Sequence, residues 1–177
     1  MTEREKLYYD FMPKPHLSGE RRYIPVGLLD DIGFFTAPAS TKRHGAYEGG
    51  LFDHSFEVAR YLVELTEKLG LKWQDPTSPY IVGMFHDFCK LDFYYKDGDG
   101  YRYKEHLILP GHGDRSVIML QKYLNLTDEE IACIRWHMGA YETDTRLWNH
   151  YGYAVSTFPN VLFTHTADMF ASKVVGI

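Results

Sequence analysis

Ile81-Val82-Gly83-Met84-Phe85-His86-Asp87 decides how the rest of this sequence is read. A short apolar run ends in an imidazole and a carboxylate, inside a helix predicted from about Pro79 to Leu91, with Pro79 in the first turn where proline is accepted. Unpaired polar side chains in such a setting are costly, so both need partners. Neighbouring helix positions lie about 100° apart, so the two side chains reach one point only beside the helix edge. A divalent cation placed there accepts the imidazole nitrogen and cancels the carboxylate charge. A hydrogen-bonded His–Asp pair within the core satisfies them too.

Working outward, four other segments offer a His or Asp from an apolar setting. His54 shares a helical stripe with Val58, Tyr61, Leu65 and Leu69 on a helix predicted over Leu51 to Leu69, with Gly70 as its cap. His112 stands between Gly111 and Gly113 at a helix entrance, where small neighbours admit a ligand. His137 ends a helix that opens at the capping pair Thr127 and Glu130 and carries Cys133 and Ile134. Asp168 projects from the apolar last helix, predicted from Asn160 to about Val175. Each alone is more often a satisfied core residue than a ligand; one metal centre accounts for all of them together.

The rest is mainly helical. The pair Thr2 and Glu5 starts a short helix to Phe11, and another is expected around Val26 to Phe35. Proline interrupts this segment at positions 13, 15, 25 and 38, so residues 1–45 are expected as an irregular N-terminal segment packed on a domain of residues 46–177. Phe93-Tyr94-Tyr95-Lys96 and Tyr101-Arg102-Tyr103-Lys104 flank Asp97-Gly98-Asp99-Gly100, which predicts one small β-hairpin. A calcium loop there is excluded: Arg102 stands at the glycine position and Ile108 at the bidentate glutamate position. A helix follows from Gly113 to Leu124, and an irregular loop precedes Pro159.

The chain has 177 residues, suited to one domain, and is 45% hydrophobic and 24% charged, a globular balance. A net charge of −5 excludes coating nucleic acid or anionic lipid by bulk charge. No apolar run approaches the roughly 18 residues of a membrane helix. The charged start Met1-Thr2-Glu3-Arg4-Glu5-Lys6 lacks a signal-type apolar region, so a cytoplasmic location is expected, with Cys89 and Cys133 as buried thiols.

The order His54, His86-Asp87, His112, His137, Asp168 resembles that of the HD-domain superfamily of metal-dependent phosphohydrolases, over roughly Thr41 to Ser172. The resemblance implies a helical bundle in which His54, His86, Asp87 and Asp168 hold one metal. It implies that His112 and His137 hold a second, with Asp87 bridging the two. Locally, His44-Gly45-Ala46-Tyr47-Glu48-Gly49-Gly50-Leu51-Phe52-Asp53-His54 and Trp136-His137-Met138-Gly139 are similar to the HD domain of a bacterial 3′→5′ exoribonuclease family. Two departures separate the chain from those nucleases: the residues before His44 are too few for an OB-type domain, and Met138 follows His137 where paired histidines are frequent.

Lys90 shares the helix face of His86 and Asp87, and the resemblance implies that it contacts phosphate. Arg115 offers a second positive group, and Arg43 and His44 are expected at the cleft rim. His165, one turn before Asp168, reads as a partner to a ligand and not a ligand. Mixed His and carboxylate ligation suits Mn, Fe, Co or Zn better than Mg. The implied reaction is hydrolysis of a phosphate ester, with a nucleotide as the expected small substrate, by a hydroxide generated between two divalent ions. Asp87 and Lys90 are the expected catalytic residues. An exoribonuclease-like activity and a catalytically silent HD-type binding or signalling module are the alternatives, and the negative charge disfavours long nucleic acid.

Overall fold

The apolar stripe that carries His54 becomes the central helix of the molecule. The computed structural model describes residues 1–14, 22–105, 107–108, 111–142 and 144–177; His16 and His106 lie outside the described residues. Among these the chain is mainly helical, in the order α1 (Glu3–Phe11), α2 (Val26–Asp31), α3 (Gly50–Leu69), α4 (Ser78–Phe85), β1 (Tyr94–Asp97), β2 (Gly100–Tyr103), α5 (His112–Leu120), α6 (Asp128–Arg135), α7 (Trp148–Thr157) and α8 (Asn160–Phe170). The predicted caps are present. Thr2 and Glu5 close a capping box on α1, Thr127 and Glu130 another on α6, and Gly70 ends α3 in the left-handed conformation.

Helices α3, α4, α6 and α8 pack on one another, and α5 lies against α6 and the turn that follows α4. Leu51, Val58 and Leu62 of α3 are fully buried with Ile81, Val82, Met84 and Phe85 of α4, Ile134 of α6 and Val161 of α8. The N-terminal segment adds Tyr8, Ile24, Leu29 and Phe34 to the same core. Arg4 holds α1 to α3 through paired hydrogen bonds to Asp53, both 2.8 Å. Farther round, Arg22 donates to Glu130 at 2.8 and 2.5 Å, and Glu130, fully buried, also accepts from Ser78.

Two glycines set how closely the site-bearing helices approach. A Cβ on Gly83 would meet the Cα of Ala59 at 2.3 Å, so α4 crosses α3 backbone to backbone. A Cβ on Gly113 would meet the Arg135 carbonyl oxygen at 2.1 Å, which seats the start of α5 on the end of α6.

Five expectations about elements need correction, the first being the helix around Val26 to Phe35, which ends at Asp31 and continues as turns. The helix predicted through Leu91 ends at Phe85, and the chain turns at His86-Asp87 before a 3-10 turn over Phe88–Asp92. α5 stops at Leu120, short of Leu124. The last helix ends at Phe170 and widens into a π-helical turn, Ala171–Val175. The stretch before Pro159, expected as irregular, contains α7. Tyr151, Ala154 and Val155 recur at helical spacing and pack half-buried against the core, a stripe that the expectation of an irregular loop passed over, and α7 also contacts α8. The hairpin forms where expected, with Tyr94 opposite Tyr103 and Asp97 opposite Gly100.

Candidate metal centre

Helices α4 and α6 end in the same way. The Nδ1–H of His86 donates to the carbonyl of Gly83 at 2.9 Å, and the Nδ1–H of His137 donates to the carbonyl of Ile134 at 2.7 Å. Each bond satisfies one of the carbonyls a helix leaves open at its C-terminus. The same bond turns the other ring nitrogen, Nε2, inward. His54 is held alike: its Nδ1–H donates to the Ile177 carbonyl at 3.0 Å. In the neutral ring a donor at Nδ1 leaves Nε2 as a lone pair.

These lone pairs converge. Nε2 of His54 lies 3.3 Å from Nε2 of His86, and Nε2 of His137 is buried with no hydrogen-bond partner. The two oxygens of Asp87 divide between the rings. Oδ2 is 3.6 Å from His54 Nε2 and 3.4 Å from His86 Nε2, whereas Oδ1 is 2.5 Å from His112 Nε2 and 3.5 Å from His137 Nε2. Oδ1 of Asp168 is 3.2 Å from His54 Nε2. Potential ligand atoms fall into the overlapping sets His54/His86/Asp87, Asp87/His112/His137 and His86/His137/Asp168, the atoms of each set lying within 4.8 Å of one another. Electron pairs facing one another without protons between them are repulsive, and buried polar groups left so are costly. A divalent cation between them resolves both problems, so the residues present fit one.

His112 differs from the other three. Its Nδ1 faces Cys89 Sγ at 3.4 Å instead of a carbonyl. Burial pushes the Cys89 thiol up to about 12, so it stays an S–H at neutral pH, and its sulfur is a weak acceptor for the Nδ1–H of His112. Burial also lowers His112, against the pull of Asp87.

Lys90, which follows the turn at His86-Asp87, places Nζ 2.6 Å from Asp87 Oδ2. Burial alone would raise the Asp87 carboxyl, but Lys90, then His86 and His112, hold it well below the usual carboxylate range. Burial would likewise lower Lys90, and Asp87 raises it instead. Asp168 is lowered too, its burial outweighed by the His54 and His86 imidazoles beside it.

A cavity of about 320 Å³ opens onto this cluster, within the range of small-molecule sites. Arg43, His44 and Lys90 line it, with Phe93, Tyr94 and Tyr103 of the hairpin region, Ser40 and Ser172. Arg115 is not brought to it: its guanidinium pairs with Asp92 and lies over the Phe93 ring, 5.2 Å from the centroid. The Nδ1–H of His165 donates to the His137 carbonyl at 2.8 Å, a contact to the backbone of the neighbouring histidine. Three participants were not legible in the sequence. Cys89 read as a plain core thiol, the Ile177 carbonyl carries no sequence signal, and Ser40 sits in a loop with no motif.

The family model of the HD domain matches residues 51–171, from the start of α3 to the end of α8. No curated protein and no solved structure matches the chain.

Proposed function

The chain belongs to the HD-domain family, whose members are commonly metal-dependent hydrolases, and from that premise we propose that it is a phosphohydrolase that cleaves the phosphate ester of a nucleotide. The observation that supports the reading best is the convergence of imidazole lone pairs on a buried carboxylate whose two oxygens face different histidines. His54, His86, Asp87 and Asp168 would hold one divalent ion and His112 and His137 a second, with Asp87 shared. Such ions polarise a phosphoryl oxygen and lower the pKa of bound water toward neutrality.

The chain's own residues do the rest. Asp87 is kept ionised by Lys90 and the surrounding imidazoles, so it stays an acceptor able to orient a water molecule. Lys90 keeps its charge and, with Arg43 at the rim, offsets charge on the non-bridging oxygens of the bound ester. The buried rings of His86 and His137 keep bulk water out of the floor of the site.

The test is metal-depleted protein reconstituted with Mn²⁺, Fe²⁺, Co²⁺, Zn²⁺ or Mg²⁺. It is offered nucleoside mono-, di- and triphosphates, cyclic nucleotides and a short labelled RNA. Hydrolysis of a nucleotide with one of the first four ions, abolished by chelation and by Asp87→Ala in a variant folded by circular dichroism, is expected. Stepwise release of mononucleotides from the RNA would move the substrate class to nucleic acid. Absence of both turnover and metal uptake would overturn the reading.

A further inference from the structure

We propose that the aromatic face of the β1–β2 hairpin is a base-binding subsite: Phe93, Tyr94 and Tyr103 stack the nucleobase of a nucleoside phosphate whose phosphoryl group lies at Asp87 and Lys90. This rests on the phosphohydrolase reading and deepens it, by placing selection for the base in a ribbon outside the helices.

Side chains alternate between the two faces of a strand, and directly opposed residues share one. The register opposes Tyr94 to Tyr103, so both rings lie on one face, with centroids 5.0 Å apart at 60°. Phe93 continues the row, its ring 6.1 Å from Tyr94 and 5.4 Å from the ring of His112. The rings thus form an unbroken file from an imidazole of the candidate metal centre to the hairpin, and all three hairpin-side residues line the same cavity as Asp87 and Lys90.

The inner end of the file is fixed and its outer end is open. The Tyr94 hydroxyl donates to the Ala39 carbonyl at 3.3 Å, whereas Tyr103 is 58% exposed. The base of the ribbon is closed by the Lys104 N–H on the Phe93 carbonyl at 2.9 Å and by the Lys104–Asp92 pair at 2.6 Å, neither of which uses the Tyr103 ring. An apolar ring left in water beside a cavity that ends in a cationic group fits a ligand that is flat and apolar at one end and phosphorylated at the other. Base–aromatic stacking uses such a surface whatever the base, because every base has a π-face. A phosphorylated sugar alone would use none of it.

The experiment compares non-hydrolysable 5′-phosphonate analogues of adenosine and of ribose, titrated calorimetrically into Mn²⁺-reconstituted protein. The nucleoside analogue is expected to bind at least about tenfold more tightly. Tyr103→Leu, an exposed position whose loss spares the fold, should weaken it by roughly 5- to 150-fold, the range for one stacked base, and leave the ribose analogue unchanged. Tyr94→Leu should do the same, and Tyr95→Leu, on the opposite face of the hairpin, should change neither. Equal affinities in the wild type, or equal weakening of both analogues by Tyr103→Leu, would overturn the subsite. Phosphate release from hydrolysable adenosine monophosphate, measured alongside, reports on the phosphohydrolase reading separately. Base-dependent binding without turnover sinks that reading and keeps the subsite, whereas turnover without base dependence does the reverse.

Discussion

Gly83→Ala tests the geometry that brings His54 and His86 together, because its added methyl acts on the crossing of their helices while the Gly83 carbonyl that holds the His86 ring is kept. The added methyl would lie 2.3 Å from the Cα of Ala59, 2.7 Å from its nitrogen and 2.9 Å from its Cβ. Ordinary van der Waals contact begins near 3.4 Å, so the helices must separate by about 1 Å at this point. Two of the three obstructing atoms are backbone and cannot rotate away. Overpacking of this kind costs about 1–3 kcal/mol, offset in part by the gain of up to about 1 kcal/mol when a helical glycine becomes alanine. At roughly 2–4 °C per kcal/mol for a chain of this size, a net cost of up to about 2 kcal/mol should lower the melting temperature by up to about 8 °C. The same displacement widens the 3.3 Å gap between the two Nε2 atoms, so Mn²⁺ or Zn²⁺ affinity should fall with stability. Thermal unfolding by circular dichroism and a competitive chelator titration measure the two effects. Gly152→Ala is the control: it lies within α7, a Cβ there meets nothing within 4 Å, and it should be neutral or stabilising. A Gly83→Ala protein that melts and binds metal like the wild type would refute the close crossing and with it the account of how the site is assembled.

Lys90→Ala should retain the metal content of the wild type and lower turnover by roughly 10²–10³-fold, with Lys90→Arg recovering part of the loss; wild-type turnover at full metal occupancy would reduce Lys90 to the ion-pair partner of Asp87. Cys89→Ala removes the sulfur facing His112 Nδ1 and should weaken the second equivalent of metal by about 10–100-fold, with Cys89→Ser weakening it less; stoichiometric binding unchanged in both variants would show that the ring needs no partner there. Arg22→Ala leaves the buried carboxylate of Glu130 without its cation and should destabilise by about 3–5 kcal/mol, which denaturant titration detects far from the site; a change below 1 kcal/mol would mean that Ser78 and the α6 backbone suffice.

The sequence by itself determined the helical class, the hairpin, both capping boxes and the ordered series His54, His86, Asp87, His112, His137, Asp168. These follow from local rules. Apolar spacing marks a helix, Thr–x–x–Glu marks its start, and an Asp-Gly-Asp-Gly turn between Tyr-rich strands leaves few alternatives to a ribbon. A histidine or aspartate in an apolar run announces itself wherever it falls, because burial without a partner is costly. Periodicity could not say where α4 stops. The helix ends at Phe85, Asp87 leaves helical geometry, and the imidazole of His86 takes the Gly83 carbonyl, an arrangement that also turns Nε2 toward partners across the core. Nor could spacing show that the two oxygens of Asp87 face different histidines, that His112 rests on a thiol, or that Arg115 turns to Asp92 and away from the cavity. Those outcomes depend on contacts between residues far apart in the chain, such as His54 with Ile177, 123 positions on. α7 is different: Tyr151, Ala154 and Val155 stand at helical spacing and pack half-buried on the core, so this helix was legible in the sequence and was passed over. Which residues can form a site is written locally in their chemistry. Which atoms of those residues face one another is decided by helix crossings, and a crossing such as Gly83 on Ala59 is a property of two segments together.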